Sequence, residues 1–179
     1  MPDGDNSYYL AFRLWAAYPW DDPVWVSAWA IATMSTDANG NEKPYHLAPP
    51  RCREDWNVIH DIRGRIFQFR RPERIIEPGC HPLLLWHNNN PVGTVQIDSL
   101  PQEVAALRLV AIDTPWQACG HGRALLQYAE NFVRDLGCNT AVVYSTLEAV
   151  GFYLNFGYAE EDWDDTYLSG FIQMLKKLG

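Results

Sequence analysis

The chain has 179 residues, of which 47% are hydrophobic and 20% are charged, and its 22 acidic and 14 basic residues give a net charge of −8. This size and composition are typical of one globular domain and exclude a wholly disordered chain. The acidic balance disfavours nucleic acid as a partner and mildly favours a cationic one. We interpret residues 1–179 as a single domain, with an aromatic-rich extension over residues 1–50 and a core over residues 51–179.

The start of the chain and its cysteines bear on where the protein is found. Residues 1–6 lack the basic region and apolar core of a signal peptide, and no apolar run approaches the length of a membrane span. The cysteines, Cys52, Cys80, Cys119 and Cys138, do not show the paired spacing of a zinc site. We interpret them as reduced thiols that fill space, and expect a cytoplasmic protein without a metal and without a membrane partner.

The first fifty residues predict strands. Apolar residues alternate over residues 8–17 and 24–34, with a proline-bounded turn at residues 19–23 between them, which indicates a hairpin. An exposed turn follows at residues 37–41, and a short strand near residues 44–47 is expected to pair back on this region. Four of the eight tryptophans lie here: Trp15, Trp20, Trp25 and Trp29. A small hydrophobic layer against the sheet is the simpler explanation for them, and a binding pocket or a dimer interface is the other.

The rest of the chain alternates strands with helices. Apolar residues at helical spacing predict amphipathic helices over residues 53–67 and 121–136, and Gly137 is a suitable C-cap for the second. Two apolar segments around an asparagine-rich turn predict a hairpin of strands 83–87 and 92–98. Further strands are predicted at residues 103–112 and 140–144, a short helix at 147–155, and a closing pair at 158–159 and 170–178. Because a helix crosses between the strands 103–112 and 140–144, we expect them to be parallel.

Two glycines follow the long predicted strand. Gly120 and Gly122 flank one residue at the start of a helix, so the backbone can approach a ligand with its N–H groups pointing outward. The positive end of the helix dipole lies at the same place and favours an anion. A dinucleotide-binding loop would have a third glycine where Leu125 stands, and a nucleotide triphosphatase loop would have Lys-Ser or Lys-Thr in place of Arg123-Ala124. Neither pattern fits.

The glycine loop has a closer match. Gln117, Gly120 and Gly122 match the Gln/Arg-x-x-Gly-x-Gly/Ala pyrophosphate loop of the GNAT superfamily of N-acetyltransferases. Further along, residues 149–158 resemble the superfamily's Ala-x-x-Phe-Tyr-x-x-x-Gly-Phe/Tyr segment at every marked position. The clear resemblance covers residues 83–158. It implies an α/β fold in which a mixed, mostly antiparallel sheet of about six to eight strands is flanked by helices on both faces.

The resemblance also implies a reaction and a cofactor site. An acetyl group would pass from acetyl-CoA to a primary amine of a small molecule by direct attack on the thioester. The residues implied in binding the cofactor are Gln117, Ala118, Cys119, Gly120, His121, Gly122 and Arg123 of the loop, Val110, Ala111 and Ile112 of the preceding strand, and Thr146 and Phe152. Many members carry Asn where Thr146 stands, and Thr supplies one oxygen only. A bulge near Leu109 and Val110 would free N–H groups for the thioester oxygen.

The proton transfers of this reaction suggest further residues. Tyr153 corresponds to the family's acid, which protonates the leaving thiolate. The attacking amine must be neutral, although only about one alkylamine in a thousand is neutral at pH 7.4. Glu103 is our first choice for the group that takes the proton, because of its position at the start of the central strand. Asp98 and His87 are the alternatives, and a solvated residue at a strand end is the simpler explanation for each of the three.

The identity of the acceptor and the existence of catalysis stay open at this point. Residues 160–165 contain five acids in six positions, which predicts a loop that attracts a cationic acceptor, although a solvated acidic turn explains the pattern equally well. A non-catalytic acyl-CoA-binding module that senses the cofactor or regulates a partner is the alternative to an enzyme. The presence of Tyr153 favours the enzyme. A homodimer is common in the family and is compatible with this chain.

Overall fold

The computed structural model of the chain describes residues 44–68, 77–165 and 168–179. The strands are β1 (Tyr45–Ala48), β2 (Cys80–His87), β3 (Asn90–Leu100), β4 (Val104–Ile112), β5 (Thr140–Thr146), β6 (Ala159–Glu160) and β7 (Phe171–Lys177). The α-helices are α1 (Arg53–Phe67), α2 (His121–Asp135) and α3 (Val150–Leu154). The strands form one sheet in the order β1-β2-β3-β4-β5-β7-β6, in which β4 and β5 are parallel and all other neighbours are antiparallel. The predicted mixed, mostly antiparallel sheet is confirmed.

Much of the predicted aromatic extension is not part of this description. The strands predicted at residues 8–17 and 24–34 and the turn at residues 37–41 lie outside the described residues. The next predicted strand is present as β1, but it pairs with β2, with Tyr45 opposite His87, and was expected to pair back on the extension. The single domain over residues 1–179 stays a prediction.

Two tight turns connect the antiparallel strands that lead to the site. Asn88 and Asn89 join β2 to β3 with φ of 47° and 62°, the positive values of a type I′ hairpin turn. Gln102 and Glu103 join β3 to β4 with φ of 63° and 59°. Glu103 is therefore a turn residue and β4 begins at Val104, whereas the sequence pattern placed Glu103 at the start of the strand.

The sheet packs helices on both faces, as predicted. Leu83 and Leu85 of β2 belong to the larger core under α2, whereas Leu84 between them packs against α1. This alternation follows from the strand period of two residues. On the α1 face, Ile59 and Ile62 contact Leu84 and Ala111 in a smaller core. The core residues under α2 include Val95, Ile97, Ala105, Leu107, Leu125, Ala129, Val133, Ala141, Val143 and Met174.

A buried ion pair joins α2 to β7. Lys176 Nζ lies 2.8 and 2.7 Å from the two carboxylate oxygens of Glu130, whose side chain is 7% exposed. The same ammonium group lies 5.6 Å from the centre of the Tyr158 ring. Burial, together with the negative charge of Glu130, raises the pKa of Tyr158 well above its ordinary value. The last aromatic residue of the second motif thus has a structural role.

The structure also shows the state of the four cysteines and the length of the helices. Cys52, Cys80, Cys119 and Cys138 are all free thiols, as predicted. Of these, Cys138 is buried and can fill space as predicted, whereas Cys52 and Cys119 are exposed, so the prediction that all four fill space is wrong for these two. Within residues 44–68, 77–165 and 168–179, no helix has the length and apolar character needed to cross a membrane.

Candidate active site

A bulge in β4 lies at the predicted position. The β3–β4 register shifts between Thr94 and Gln96, so that two residues of β4, Leu109 and Val110, lie opposite a single residue of β3. Leu109 has φ of 50°, in the left-handed region that non-glycine residues rarely adopt. A bulge re-aims the local backbone groups out of the ladder. This part of β4 therefore has N–H groups available for something other than a neighbouring strand.

The strands β4 and β5 separate beyond this bulge. Their parallel ladder begins with Val104 opposite Thr140 and ends with Leu107 opposite Val143. β5 continues to Thr146, paired only with β7. The backbone groups of β4 that follow the bulge and face β5 consequently have no strand partner in the described structure. An extended ligand can bind in such a gap in the manner of an added strand.

The chain leaves β4 through a short turn that leads into the glycine loop. A 3-10 turn over Thr114–Trp116 is followed by Gln117, whose Nε2 donates to the C=O of Ile112 at 3.0 Å. This hydrogen bond closes the loop onto the end of β4. Ala118 has φ of 59°, and the exposed Cys119 follows it. The predicted loop residues thus form one tight, surface-accessible turn.

The helix that follows the loop offers free donors. Gly120 is the N-cap of α2 with φ of 86°, a conformation that favours glycine. The first intrahelical hydrogen bond runs from the N–H of Ala124 to the C=O of Gly120. The N–H groups of residues 121–123 therefore lack intrahelical acceptors, as at any helix start. The exposed Arg123 adds positive charge, with its guanidinium 5.2 Å from the centre of the Phe156 ring.

An ion pair fixes the start of this loop to α1, and the sequence analysis did not identify it. Arg65 Nε and Nη2 donate to the two oxygens of Asp113 at 2.8 and 2.9 Å, and Asp113 Oδ1 also accepts from the N–H of Thr114 at 2.9 Å. The Asp113 side chain is 12% exposed. An aspartate before a Thr-Pro pair is a typical turn cap, but the sequence alone does not show which cation it contacts.

His121 is buried at the start of α2. Its Nδ1 lies 2.8 Å from the hydroxyl of Tyr45, and its ring centre lies 4.9 Å from that of His87. Trp116 packs edge-on against it at 5.6 Å. Burial, with a smaller contribution from His87, lowers the pKa of His121. We therefore expect a neutral imidazole that orders the helix start.

The second motif brings two aromatic residues to the same region. An added Cβ on Gly122 would lie 3.5 Å from the Phe152 ring, so α3 borders the glycine loop. Tyr153 is 5% exposed, and burial raises the pKa of its hydroxyl to about 12. The phenol therefore stays protonated at neutral pH, which an acid requires. Thr146 lies exposed at the end of β5, on the other side of the gap.

The three candidate proton acceptors lie in different places. Glu103 accepts hydrogen bonds from the backbone and side-chain N–H groups of Asn139, and lies six residues before Leu109, which is about 20 Å along a strand. Its expected place beside the thioester is therefore corrected, because the turn fixes it at the opposite end of β4. His87 lies on the α2 face. Asp98 lies on the α1 face, nearer to the bulge.

Asp98 belongs to a polar cluster on the α1 face of the sheet. One carboxylate oxygen accepts from Cys80 Sγ at 2.8 Å and from Gln96 Nε2 at 3.0 Å. The other forms an ion pair with Arg108 Nε at 2.8 Å. Burial and the neighbouring Asp98 raise the pKa of Cys80 to about 12, so its thiol remains a donor. Both of its oxygens therefore have partners, and Asp98 holds Arg108 in place.

The acidic loop borders the same gap from the β5 side. Tyr144 is the first β5 residue beyond the β4 ladder, and its ring centre lies 4.8 Å from that of Trp163. The backbone N–H groups of Trp163 and Asp164 both donate to Gln173 Oε1, at 2.9 and 3.0 Å. Since Val143 faces α2, Tyr144 faces the α1 side. Four acids of this loop are exposed: Glu160, Glu161, Asp162 and Asp165.

Comparison with known sequences shows one family. The model of the acetyltransferase (GNAT) family matches residues 41–158. The protein YyaT of Bacillus subtilis (strain 168) is 26% identical over 83 residues, which are 46% of this chain and 55% of YyaT. The chain thus spans about half the length of the curated relatives it matches.

Solved structures share the architecture at low identity. A spermidine N-acetyltransferase SpeG chimera from Vibrio cholerae and hSSAT is 16% identical, with 76% of this chain and 96% of that chain covered and a TM-score of 0.62. N-acetylglutamate synthase from Neisseria gonorrhoeae, complexed with coenzyme A and L-arginine, is 15% identical, with 78% and 34% covered and a TM-score of 0.60. At these identities the likeness shows the fold alone. The family match extends over most of the described residues and includes the bulge, the glycine loop and the second motif, and the chain therefore belongs to the GNAT acetyltransferase family.

Proposed function

We propose that this protein transfers an acetyl group from acetyl-CoA to a primary amine of a small, cationic acceptor. The observation that carries the proposal is the bulge at Leu109, which lies beside the gap between β4 and β5 and directly before the glycine loop. The family uses acetyl-CoA, and one solved neighbour holds coenzyme A. A thioester placed in this gap would meet a backbone donor, an open approach and a buried acid together.

Different parts of the cofactor would occupy the loop and the gap. Its pyrophosphate would accept hydrogen bonds from the N–H groups of residues 121–123, with Arg123 supplying positive charge. The pantetheine arm would pair with the backbone of Val110, Ala111 and Ile112, where β5 has left the ladder. Phe152 would cover one side of the arm. Thr146 would supply a hydrogen bond from the end of β5.

The chemistry would use the bulge and the tyrosine. The neutral amine attacks the thioester carbon, a C–N bond forms, and the carbonyl oxygen becomes an oxyanion that a backbone N–H at Leu109 or Val110 stabilises. The intermediate then collapses with cleavage of the C–S bond. Tyr153 donates its proton to the departing thiolate and is reprotonated from solvent, while the nitrogen loses its proton to solvent. Glu103 has no part in these steps, given its distance from the bulge.

Replacement of Tyr153 by Phe tests the catalytic proposal. We expect kcat to fall by about 10²- to 10⁴-fold, because general acid catalysis is lost, while the acetyl-CoA dissociation constant stays the same. Activity is measured by release of free CoA with a panel of primary amines that includes spermidine, cadaverine and L-lysine. Tyr158→Phe is the matched control, since it removes a buried hydroxyl of the same motif outside the site.

Three results of this experiment have distinct meanings. An unchanged kcat in Tyr153→Phe removes the tyrosine from the mechanism. Wild-type protein that binds acetyl-CoA but acetylates nothing in the panel would favour the non-catalytic acyl-CoA-binding alternative. A loss of kcat with Tyr158→Phe as well would show that the effect comes from altered packing of α3.

The cationic character of the acceptor has its own test. Exposed Glu160 and Glu161 lie on β6 and directly after it, separated from β5 by β7. As part of the acidic surface beside β5, they would attract a cationic acceptor, so we expect Glu160→Gln with Glu161→Gln to raise KM for spermidine by about 2- to 10-fold and to leave kcat unchanged. Because the attraction is electrostatic, the effect should shrink as salt is added. The control is Glu54→Gln with Asp135→Asn, which removes the same charge elsewhere. An equal rise in KM in both double variants would show that only net charge matters.

A further inference from the structure

Arg108 lies on β4, next to the gap between β4 and β5. It directly precedes the bulge residue Leu109, and its neighbour Leu107 belongs to the core under α2, so the Arg108 side chain lies on the α1 face. That side chain is 45% exposed. Across the gap, the same face carries Tyr144 and Trp163. A molecule that attacks a thioester at the bulge from this face would pass the guanidinium group.

The guanidinium of Arg108 is oriented by its neighbours, and only its Nε has a partner among the described residues. Its Nε pairs with Asp98 Oδ2 at 2.8 Å, and Asp98 is held in turn by Cys80 and Gln96 through its other oxygen. No described residue accepts a hydrogen bond from either terminal nitrogen of Arg108. A planar group with its Nε anchored and two terminal nitrogens left over is arranged to bind a second oxyanion in a bidentate manner.

The charges around the gap select the kind of anion. The opposite border carries Glu160, Glu161 and Asp162, all exposed, and the whole chain has a net charge of −8. A doubly charged phosphate would be repelled by this surface more strongly than a singly charged carboxylate. The acids of β6 and the following loop lie beyond β5 and β7 from β4, so a small molecule bound at Arg108 lies closer to the bulge than to this acidic border. Such a molecule would carry a carboxylate at one end and an amine towards the bulge.

We propose that Arg108 binds a carboxylate of the acceptor, so that the acceptor is an amino acid or a close derivative with both a free amine and a free carboxylate. This proposal rests on the proposed acetyl transfer and assigns its substrate class. Asp98 is then a positioning residue, which keeps the guanidinium facing the gap without contacting the acceptor. The acidic border remains compatible with an additional positive charge on the same acceptor.

The test compares matched acceptors in matched variants. Acetylation is measured for the common L-amino acids, for their α-amides and for the corresponding decarboxylated amines. In wild type we expect at least one amino acid to exceed its amide and its amine in kcat/KM. Arg108→Gln should lower kcat/KM for that acid by about 10- to 100-fold, through KM, and leave the amide within about twofold. Arg108→Lys should be intermediate, since it keeps the charge and loses the fork.

Two further variants separate binding from folding. Arg134→Gln removes the same charge at the far end of α2, where Arg134 Nε donates to the C=O of Leu178, and should leave the preference for acids unchanged. Asp98→Asn should raise KM for acids while kcat stays constant, because it frees the guanidinium from its anchor. A merely destabilised protein would instead lose activity towards acids, amides and amines alike.

A binding measurement keeps the proposal testable without turnover. Calorimetry with the CoA-loaded protein compares N-acetyl-L-amino acids with their amides. Binding that requires the carboxylate and is lost in Arg108→Gln supports the proposal. Equal binding of acids and amides, no binding of either, or turnover that is indifferent to the carboxylate overturns it. If turnover does not depend on the carboxylate, acetyl transfer has still been observed and only the assignment of Arg108 fails. The Tyr153→Phe variant tests the catalytic proposal separately.

Discussion

At the scale of single residues, Tyr153 combines burial with a proposed chemical role that requires a proton. Its hydroxyl lies in the aromatic layer formed with Phe152 and Tyr158, at ring distances of 5.2 and 5.4 Å. Water is largely excluded from that layer, and the charged phenolate is disfavoured. The result is a pKa of about 12 for Tyr153, above the ordinary value of 10. The residue is therefore protonated wherever the enzyme would work.

This shift predicts the pH dependence of the rate. Between pH 7 and 9 we expect kcat/KM to rise about tenfold per unit, because the fraction of neutral alkylamine rises in that proportion. Tyr153 must be protonated to act as the donor. Because its pKa is raised to about 12, loss of this proton limits the rate only as the pH approaches that value. Initial rates with saturating acetyl-CoA over pH 7 to 10.5 measure this. A decline that begins near pH 9 and is absent in Tyr153→Phe would contradict it.

Individual residues differ in how well the sequence predicted them. Gly120 was predicted from its motif, and it does need the left-handed backbone at φ of 86°. Glu103 was chosen by its place at the start of the central strand, but that end of β4 lies about 20 Å from the bulge. Arg65 and Arg108 had no sequence signal, because each is defined by the aspartate it meets across the fold. Contacts between residues distant in sequence depend on packing that local patterns do not encode.

At the scale of elements, the bulge in β4 is the feature that distinguishes this sheet from a continuous one. Leu109 there has φ of 50°, a conformation that costs an L-residue about 1–2 kcal/mol and glycine little. The bulge shifts the β3–β4 register, and the β4–β5 ladder ends at Leu107, two residues before Leu109. The protein thus retains a strained residue at the place where the reaction is proposed.

The strain at Leu109 can be measured by comparing the unfolding free energies of its glycine and alanine variants. Leu109→Gly should be more stable than Leu109→Ala by about 1 kcal/mol, because both lose the same side chain and only glycine relaxes at positive φ. At Leu107, in regular strand two residues earlier, the order should reverse, with Ala more stable than Gly by about 0.5–1 kcal/mol. Urea unfolding of the four variants gives the free energies. The same order at both positions would show that no left-handed residue exists at 109.

Element boundaries followed the sequence closely where periodicity was strong. The predicted helix 53–67 is α1, and the predicted helix 121–136 is α2 with one residue fewer. The short helix predicted at 147–155 divides into a 3-10 turn, Leu147–Ala149, and the five residues of α3. The pairing of β1 with β2 was not predicted, because an alternating pattern identifies a strand and says nothing of its neighbour.

At the scale of the whole molecule, cofactor binding should stabilise the described fold. Acetyl-CoA would contact β4, the glycine loop and α3, which belong to different parts of the chain, so its binding is linked to global unfolding. At a hundredfold excess over the dissociation constant the stabilisation is about 2.7 kcal/mol. For a chain of this size that corresponds to a rise of about 5 to 10 °C in Tm.

A thermal-shift titration with acetyl-CoA, CoA and NADH measures this linkage. We expect shifts with both CoA species, because they share the pyrophosphate and the pantetheine arm, and none with NADH. The dinucleotide is the control, since it has a pyrophosphate but no arm to occupy the gap. A shift with NADH alone, or with none of the three, would mean that the glycine loop does not bind CoA here.

The sequence by itself determined the class of the fold and the family. Periodicity of apolar residues defined the helices and strands because burial on one face imposes it, and two short motifs identified the loop and α3 because a pyrophosphate and a thioester require particular backbone and side-chain chemistry. These are local requirements, and local sequence records them. The order of the central strands and the parallel pair followed from the connections between them.

Only the tertiary structure decided how the acceptor side is built. The separation of β4 and β5, the placement of Arg108 and Asp98 on the α1 face, and the position of the acidic loop opposite them depend on strand register and on which face each residue occupies. A shift of one residue in register would exchange the two faces, and sequence spacing does not determine the register of distant strands. The proposed cofactor chemistry was therefore predictable from motifs, whereas the proposed acceptor chemistry depends on the packing.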